Sequence, residues 1–413
     1  MSKKLFHKTV RALAVLAVMA AAQASYAAVF VQCGKNNVGV DTQGRIKPNL
    51  PPGVECMHLS AGDGFITMAD GRELYSFGFA DVSNKPSADV MLDSMAANFS
   101  APTIEIDEGK DFYLTLTNVS MAMRPDLFDP HTVHFHGFPQ QPPLFDGMPE
   151  GSFGVDMGSS FTYFYRLNDP GTYMYHCHQE ATEHMQMGML GNLYVKPAQD
   201  GKSKTDPVTH KTYKRFAFND GDGTTGYDVA VPLQLSSMDH IFHDLELGVQ
   251  PLRLKFMKDT YPMINGRGYP DTVNPAALPP PTQKVDFVGD TATSSQPLNA
   301  RVSAKVGERV LLRLSNLSVT NYYTVTALGL PMKVVGAGAR HLRGPSVNGA
   351  APIDLYYETT SVTLGGGESA EVLVDTTGVA PGTYFLYTTN LNYLSNFQED
   401  SGGMMTEIVI AAN

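Results

Sequence analysis

Short runs in which apolar and polar residues alternate are spread along most of the chain, and each predicts a β-strand. Clear examples are the runs 111–117 and 310–315, and Gly, Pro and Asn separate such runs throughout. Few segments follow the spacing of a long helix. A chain of 413 residues with this pattern is predicted to be all-β and built from packed sandwiches.

An internal repeat divides the chain into two copies of one unit. Segment 108–118 matches 306–316, segment 131–139 matches 323–331, and segment 170–178 matches 381–389. The three matches occur in the same order, so we predict two tandem sandwiches. The predicted segments are a signal peptide at 1–27, an N-terminal segment at 28–58, a first domain at 59–198, a linker at 199–212 and a second domain at 213–413.

Metal-ligand chemistry is concentrated in the first copy. Two stretches, 131–136 and 176–184, hold six of the twelve histidines together with Cys177. In the second copy the matching positions hold no imidazole or thiol: they are Tyr323, Thr326, Leu328, Tyr387, Thr388 and Thr389. Only the first domain is therefore predicted to bind metal, and the second domain is predicted to be metal-free.

Side-chain parity sorts these ligands into two groups. In a strand successive side chains point to opposite faces, so Cys177 lies on one face and its two neighbours on the other. Site one is predicted to be a type 1 copper held by His131, Cys177, His184 and the axial thioether of Met189, with Met187 as the second choice. Site two is predicted to be a histidine-only copper site on the far face, formed by His134, His136, His176 and His178.

The two sites are joined through the chain itself. His176 and His178 are covalent neighbours of Cys177, so these three residues are predicted to carry the electron between the sites. A buried structural thiol and hydrogen-bonded structural histidines are the alternative. Eight candidate ligands at the required parity argue against it, and a soft Cys-His-His-Met set favours copper over zinc or iron.

These motifs resemble the multicopper oxidases of the plastocyanin-like (cupredoxin) superfamily. The resemblance covers roughly residues 59 to 412 and extends to the segments 101–112, 263–270 and 362–372. It implies two tandem Greek-key cupredoxin β-sandwich domains and copper as the cofactor. One departure is that five residues separate His178 from His184, where the family usually has three.

In the family, a trinuclear cluster of type 2 and type 3 copper takes eight histidines shared between two sandwiches, whereas this chain supplies four. The second domain offers none, so a head-to-tail arrangement cannot complete the cluster. If two first domains met across a two-fold axis, each ligand would appear twice and the count would reach eight. We therefore expect a homo-oligomer built from dimers.

The expected function is oxidation of an electron donor by one-electron steps, coupled to reduction of dioxygen. The donor is expected to be a phenol or a low-valent metal ion such as Cu(I), Fe(II) or Mn(II). The alternative is a non-catalytic blue-copper electron-transfer or copper-binding protein. A copper nitrite reductase ranks third, because that family has an Asp where this chain has His134 and needs a histidine from the second domain.

The N-terminus and the overall charge indicate an exported protein. Four basic residues precede a short apolar run, and the small residues that end at Ala27 fit a signal-peptidase site. The run is too short to span a membrane. Removal of this signal changes the formal net charge from −11 to −15, which argues against nucleic acid as a partner. We expect a periplasmic or secreted protein.

Two further features are expected to be structural. With Cys177 assigned to copper, Cys33 and Cys56 are the remaining two of three cysteines, and we predict that they form a disulfide. His240 and His243 lie among apolar residues that read as a strand, and they lack the spacing of the ligand pairs.

Overall fold

Two pairs of β-sheets follow one another along the chain in the computed structural model, which describes residues 29–139, 141–281 and 294–413. The predicted signal peptide, 1–27, lies outside the described residues. The first pair of sheets is formed by residues 54–196 and the second by residues 229–411. The all-β prediction and the two-copy prediction are both confirmed.

The first sandwich contains two four-stranded sheets, with strand orders β2-β1-β4-β6 and β3-β8-β7-β5. Its strands are β1 (Val54–Thr67), β2 (Glu73–Asp81), β3 (Ala101–Asp107), β4 (Asp111–Asn118), β5 (His134–His136), β6 (Ser160–Arg166), β7 (Gly171–His176) and β8 (Leu190–Lys196). A small hairpin, β9 (Lys204–Thr205) with β10 (Thr212–Tyr213), falls within the predicted linker. The predicted segment boundaries themselves stay predictions.

The second sandwich contains a seven-stranded sheet, β12-β11-β14-β20-β16-β17 with β18 paired to β16, and a five-stranded sheet, β13-β22-β21-β15-β19. Its strands are β11 (Val229–Met238), β12 (Tyr261–Ile264), β13 (Val302–Lys305), β14 (Arg309–Asn316), β15 (Tyr323–Ala327), β16 (Met332–Ala337), β17 (Arg340–His341), β18 (Tyr357–Thr359), β19 (Val362–Leu364), β20 (Ser369–Asp375), β21 (Gly382–Thr388) and β22 (Met405–Ala411).

Strand pairing repeats in the two sandwiches as the sequence repeat predicts. β1 pairs in parallel with β4, and β11 pairs in parallel with β14; likewise β3 with β8, and β13 with β22. These non-consecutive neighbours are the crossovers expected of a Greek key. The alternation of burial along β22, where every second side chain is buried, reflects the period of two that predicted the strand.

Helices are short in the described part of the chain. The α-helices are α1 (Ala181–Met187) and α2 (His240–Leu247), and 3₁₀ turns cover Lys35–Asn37, Val90–Leu92, Pro143–Phe145, Leu254–Phe256, Asp271–Val273 and Leu391–Tyr393. The strand expected around His240 and His243 is wrong, because Asp239 caps a helix there by accepting a hydrogen bond from the Ile241 amide. No helix in these described residues is both long and apolar enough to cross a membrane.

The N-terminal segment is fixed by the predicted disulfide between Cys33 and Cys56, which is confirmed, with Cα atoms 5.7 Å apart. Cys56 lies on β1, so the bridge ties the segment to the first sandwich. Cys177 is free and buried, as assignment to a metal site requires.

The two sandwiches pack against one another through both apolar and polar contacts. An apolar cluster joins Met174 and Leu190 of the first to Met238, Met263 and Leu317 of the second. At its edge the Thr172 amide donates to Glu371, and Ser369 donates to the Thr172 carbonyl at 2.7 Å. The second domain is thereby held beside the strand β7 that ends in the ligand motif.

Candidate metal centres

The ends of β5 and β7 bring the predicted ligands together. These strands are antiparallel neighbours, with His134 opposite His176 and His136 opposite Met174. Cys177 follows directly at the end of β7. His131 precedes β5 and is fixed by two backbone hydrogen bonds with Val155, of 3.1 and 2.8 Å.

Site one is a closed group inside the first sandwich. Cys177, His131 and His184 are all 0% exposed, and one ligand atom from each lies within 4.8 Å of the others. The Cys177 Sγ is 3.1 Å from the His184 Nδ1 and 3.3 Å from the Thr132 amide nitrogen. The five residues between His178 and His184 end in the first three residues of α1, and His184 lies in the last turn of that helix.

The protonation of site one suits metal binding. Burial alone would raise the pKa of the Cys177 thiol, but the adjacent His184 and His131 outweigh burial and lower that pKa to about 5. Burial alone would lower the pKa of His184, but the Cys177 thiolate and Asp129 raise it well above its ordinary value. A thiolate is the form of cysteine that ligates metals. A cation bound by these atoms would take the place of the shared proton.

The residues present fit a copper ion, because they leave buried ligand atoms without partners. Both ring nitrogens of His131 are buried and have no hydrogen-bond partner among the described residues. Such orphaned polar atoms are costly unless a ligand satisfies them. A thiolate, two imidazoles and nearby thioethers are the soft, uneven set that copper prefers.

Two buried methionines are the candidates for the axial thioether. Met187 and Met189 are both 0% exposed and belong to the same buried cluster as Cys177. Met189 is tied to both neighbouring ligands: its amide donates to the His184 carbonyl at 2.8 Å, and its carbonyl accepts from the Cys177 amide at 3.1 Å. Met187 is the last residue of α1. The backbone ties favour Met189, which stays our prediction.

Site two lies on the opposite face of the same strands. The His136 Nδ1 is 3.2 Å from the His176 Nε2, and ligand atoms of His134, His136 and His176 lie within 4.8 Å of one another. His178 joins them through its ring, whose centroid is 5.0 Å from that of His134 and 5.7 Å from that of His176. The side chain of Cys177 thus lies on one face of the strand and those of His176 and His178 on the other, as the alternation of side chains predicts.

Site two consists of desolvated imidazoles. Burial lowers the pKa of His176 to about 3 and also lowers the pKa values of His134 and His136. These rings are therefore neutral near pH 7, which is the form that ligates metals. The His134 Nδ1 is 2.6 Å from the Asp146 carbonyl oxygen, which fixes the orientation of this ring.

A cleft of about 510 Å³ opens from site two toward the second domain of the same chain. The second domain lines this cleft with Ser318, Thr320, Asn321, Tyr322 and Gly367, and α1 of the first domain contributes Met185. Gly367 approaches so closely that a Cβ atom there would lie 2.5 Å from the His136 Nε2. Among the described residues, the four imidazoles of site two are the only ones that line this cleft.

Two carboxylates beside the ligands were missed by the sequence analysis. Asp129 Oδ1 lies 3.1 Å from the His184 Nε2, and Asp146 Oδ1 lies 3.4 Å from the His134 Nδ1. Parity could have indicated Asp129, since residues 129 and 131 share a face in an extended chain. No comparable signal pointed to Asp146, which reaches site two from a loop twelve residues away.

Two regions of the chain match family descriptions, and both descriptions are multicopper oxidase. The matches cover residues 82–200 and 256–410, one in each sandwich. Copper resistance protein A of Pseudomonas syringae pv. tomato is 25% identical over 284 residues, covering 64% of this chain and 43% of the relative. Copper resistance protein A of Escherichia coli is 24% identical, covering 56% and 37%. The chain thus spans less than half the length of these curated relatives.

Among solved structures, the blue copper oxidase from Nitrosomonas europaea is similar in fold. The TM-score is 0.59 at 21% sequence identity, and the match covers 86% of this chain and 85% of the other. Similarity at this level of identity establishes the architecture alone. It confirms the prediction of two tandem cupredoxin sandwiches.

Proposed function

The chain belongs to the multicopper oxidase family, and from this membership we propose that it is an exported copper oxidase that couples oxidation of an electron donor to reduction of dioxygen. The observation that carries the proposal is the position of Cys177 between two ligand groups on opposite faces of β5 and β7. When bound, copper would supply one-electron acceptance at site one and dioxygen reduction at site two.

Site one would hold type 1 copper through His131, Cys177, His184 and Met189. The sandwich buries all four side chains, so it excludes water from the ligands and fixes their positions before the metal arrives. Thr132 supports the sulfur through its amide at 3.3 Å, and Val155 fixes His131 through the backbone. This rigid, dry arrangement suits electron transfer, in which the ligands need to move little.

Site two would hold type 2 and type 3 copper through His134, His136, His176 and His178. His176 and His178 are bonded through the backbone to Cys177, so the connection between the two sites is covalent and a single residue long. The cleft beside site two gives a small molecule such as dioxygen room to reach these imidazoles.

Completion of site two is proposed to require a second copy of the chain. The second domain lines the cleft with hydroxyl, amide and phenol groups but contributes no imidazole among the described residues. His134, His136 and His178 are each partly exposed, and Tyr322 beside them is 75% exposed. Two first domains related by a two-fold axis would supply eight imidazoles.

The proposal also covers where the protein functions and which kind of electron donor it oxidises. The disulfide between Cys33 and Cys56 supports an oxidising compartment such as the periplasm or the exterior. The donor is proposed to be a phenol or a low-valent metal ion, and we expect no role for nucleic acid or for a membrane span.

Copper content of the purified mature protein tests the proposal, measured together with its mass in solution. One copper per chain at site one and three shared by two chains predict about 2.5 copper ions per chain in a dimer-based assembly. Oxygen consumption with a phenolic donor should accompany that value. About one copper per chain, with a blue spectrum and no oxygen consumption, would instead identify an electron-transfer protein.

A further inference from the structure

We propose that a groove on the surface of the protein binds an organic anion with an apolar body, of the size of an aromatic carboxylate or sulfonate. The groove has a volume of about 530 Å³ and is formed by α2 and the segment 253–260. None of the predicted copper ligands lines this α2 groove. The proposal therefore goes beyond the proposed function and does not depend on it.

The apolar part of the α2 groove comes from two short pieces of chain. Ile241 and Leu245 are one helical turn apart, so they line the groove from the same face of α2. The segment 253–260 adds Phe256, the last residue of a 3₁₀ turn. Ile241 is 56% exposed and Phe256 is 65% exposed, although both side chains are large and apolar. Exposed apolar side chains that line one concave surface are typical of a ligand site.

The buried part of the lining is fixed by core packing. Phe242 is 2% exposed and belongs to the same buried cluster as Cys177, and Met257 packs against that cluster. The helix α2 is also tied to α1, because the His243 Nε2 lies 3.0 Å from the Gln186 carbonyl oxygen. With this support the groove needs little ordering when a ligand binds, which favours affinity.

The positive charges of the lining are free, whereas its negative charge is occupied. Arg253 and Lys258 are exposed, and neither forms an ion pair or a side-chain hydrogen bond within the described part of the chain. Asp239 also lines the groove, but it is 4% exposed, and its carboxylate accepts hydrogen bonds from the Ile241 amide at 2.9 Å and the Lys258 amide at 2.7 Å. The charges available to a ligand are therefore both positive.

The other acidic residues of α2 do not offset these cations. Asp244 pairs with Arg72 at 2.5 Å, and the buried Glu246 pairs with Arg124. Lys255 adds a third cation to the segment, with its Nζ 4.8 Å from the centre of the Phe256 ring. A cationic groove in a chain of formal net charge −11 favours an anion over a metal cation as its ligand.

Two matched probes test the proposal. 8-Anilinonaphthalene-1-sulfonate and N-phenyl-1-naphthylamine share their ring systems, but only the first carries a negative charge. Equilibrium dialysis with the copper-loaded mature protein gives the Kd of each probe. In the double variant Arg253→Gln, Lys258→Gln the Kd of the sulfonate should rise about fivefold to tenfold, because two solvent-accessible charge contacts are lost. The Kd of the neutral probe should stay close to its wild-type value.

The double variant Arg301→Gln, Lys305→Gln is the matched control. Both residues are exposed and neither lines the groove, so this variant removes the same charge elsewhere on the second domain. Its Kd values for the two probes should equal those of the wild type. An equal rise in the Kd of the sulfonate in both double variants, or no rise in either, would overturn the proposal.

The apolar half of the groove has its own test in Phe256→Ala. Loss of this ring should raise the Kd of both probes severalfold. Phe153→Ala removes a ring of similar exposure, 60%, that does not line the groove, and it should change neither Kd. Wild-type affinity of both probes for Phe256→Ala would place their binding outside the groove and contradict the proposal.

A wild-type experiment covers the case in which a variant does not fold, and it distinguishes a dissolved anion from a membrane surface. Binding of the sulfonate should saturate, and 4-phenylbutyrate should displace it at lower concentrations than the uncharged 4-phenylbutanol. The protein should not co-sediment with vesicles of phosphatidylcholine and phosphatidylglycerol. Equal displacement by the acid and the alcohol would overturn the proposal. Sedimentation with the vesicles without binding of the dissolved sulfonate would overturn it in favour of a lipid surface.

Discussion

The two ligand groups share strands β5 and β7 but differ in how far this chain encloses them. Site one is sealed, since Cys177, His131 and His184 are fully buried within one sandwich. Site two has partly exposed imidazoles that face a cleft of about 510 Å³. One strand end thus presents a buried ligand group on one face and an accessible one on the other.

This difference shows that the residues of a strand end can set which side chains form each ligand group without setting how far each group is enclosed. Alternation along the strand is enough to direct Cys177 inward and its neighbours outward. In our proposal, completion of site two depends on what approaches from outside the sandwich. The second domain repeats the core strand pairing of the first, but its equivalent positions hold Tyr323, Thr326 and Leu328, so the shared fold provides no ligands.

The largest effect should come from removing the residue that joins the two sites. Cys177→Ser replaces the buried thiolate by a hydroxyl of similar size, so the fold should survive. The blue absorption should disappear, and oxygen consumption should fall by at least about 100-fold, because even partners outside the ligand sphere contribute 10–100-fold. Visible spectra and an oxygen electrode would measure both effects.

The complementary variant, His136→Ala, should impair site two and leave site one intact. It removes a ligand from the open face, so oxygen consumption should be lost while the blue absorption remains. Retention of the blue absorption in Cys177→Ser would contradict the assignment of site one. Loss of that absorption in folded His136→Ala would show that the two sites do not assemble independently.

A smaller effect should follow from a change in the cleft wall rather than in a ligand. In Gly367→Ala the new Cβ would lie 2.5 Å from the His136 Nε2, so the ring must move. Copper bound at site two should fall, while the blue absorption of site one should stay unchanged. Metal analysis and visible spectra on the same sample would measure the two sites separately.

Gly307→Ala is the control for backbone strain. Gly307 and Gly367 have similar positive φ values, 82° and 88°, but a Cβ at Gly307 meets no atom within 4 Å. Both variants should lose roughly 1–3 kcal/mol of stability from the left-handed conformation. Equal copper content in the two variants would show that the second domain does not shape site two.

The sequence was sufficient to predict features that depend on periodicity. The repeat predicted two sandwiches because each copy keeps its alternating strands, and parity predicted the division of ligands around Cys177. The disulfide followed from the count of cysteines, since only Cys33 and Cys56 remained.

Contacts between residues that are distant in the sequence could not be predicted from periodicity. Gly367 meets His136 from more than 200 residues away, and no local pattern reports such a contact. Asp146 lies in a loop, where side-chain direction follows no fixed period. The helix at His240 was missed because the capping side chain of Asp239 outweighed an apolar pattern that reads equally well as a strand.

The smallest effect on copper binding is expected at a buried imidazole that lies outside both sites. His58 on β1 is 1% exposed, its Nε2 is 2.8 Å from the Thr117 hydroxyl, and burial lowers its pKa to about 4. In the unfolded chain its pKa returns to about 6.5, so the unfolded state binds the proton first as the pH falls. The free energy of unfolding should therefore be fully retained above about pH 6.5 and should decline between about pH 6.5 and pH 4, by about 3 kcal/mol from this residue.

Comparison of His58→Gln with the wild type, by urea unfolding of the copper-free proteins at several pH values, measures this contribution. The difference in unfolding free energy should shrink or reverse in favour of the variant as the pH falls, because glutamine takes up no proton. The same substitution at the exposed His210 is the matched control for the loss of an imidazole. Parallel curves for His58→Gln and the wild type would show that burial does not exclude the proton from His58. Burial would then be a weaker argument that the imidazoles of site two are neutral, and the contrast between the sealed and the open site would rest on accessibility alone.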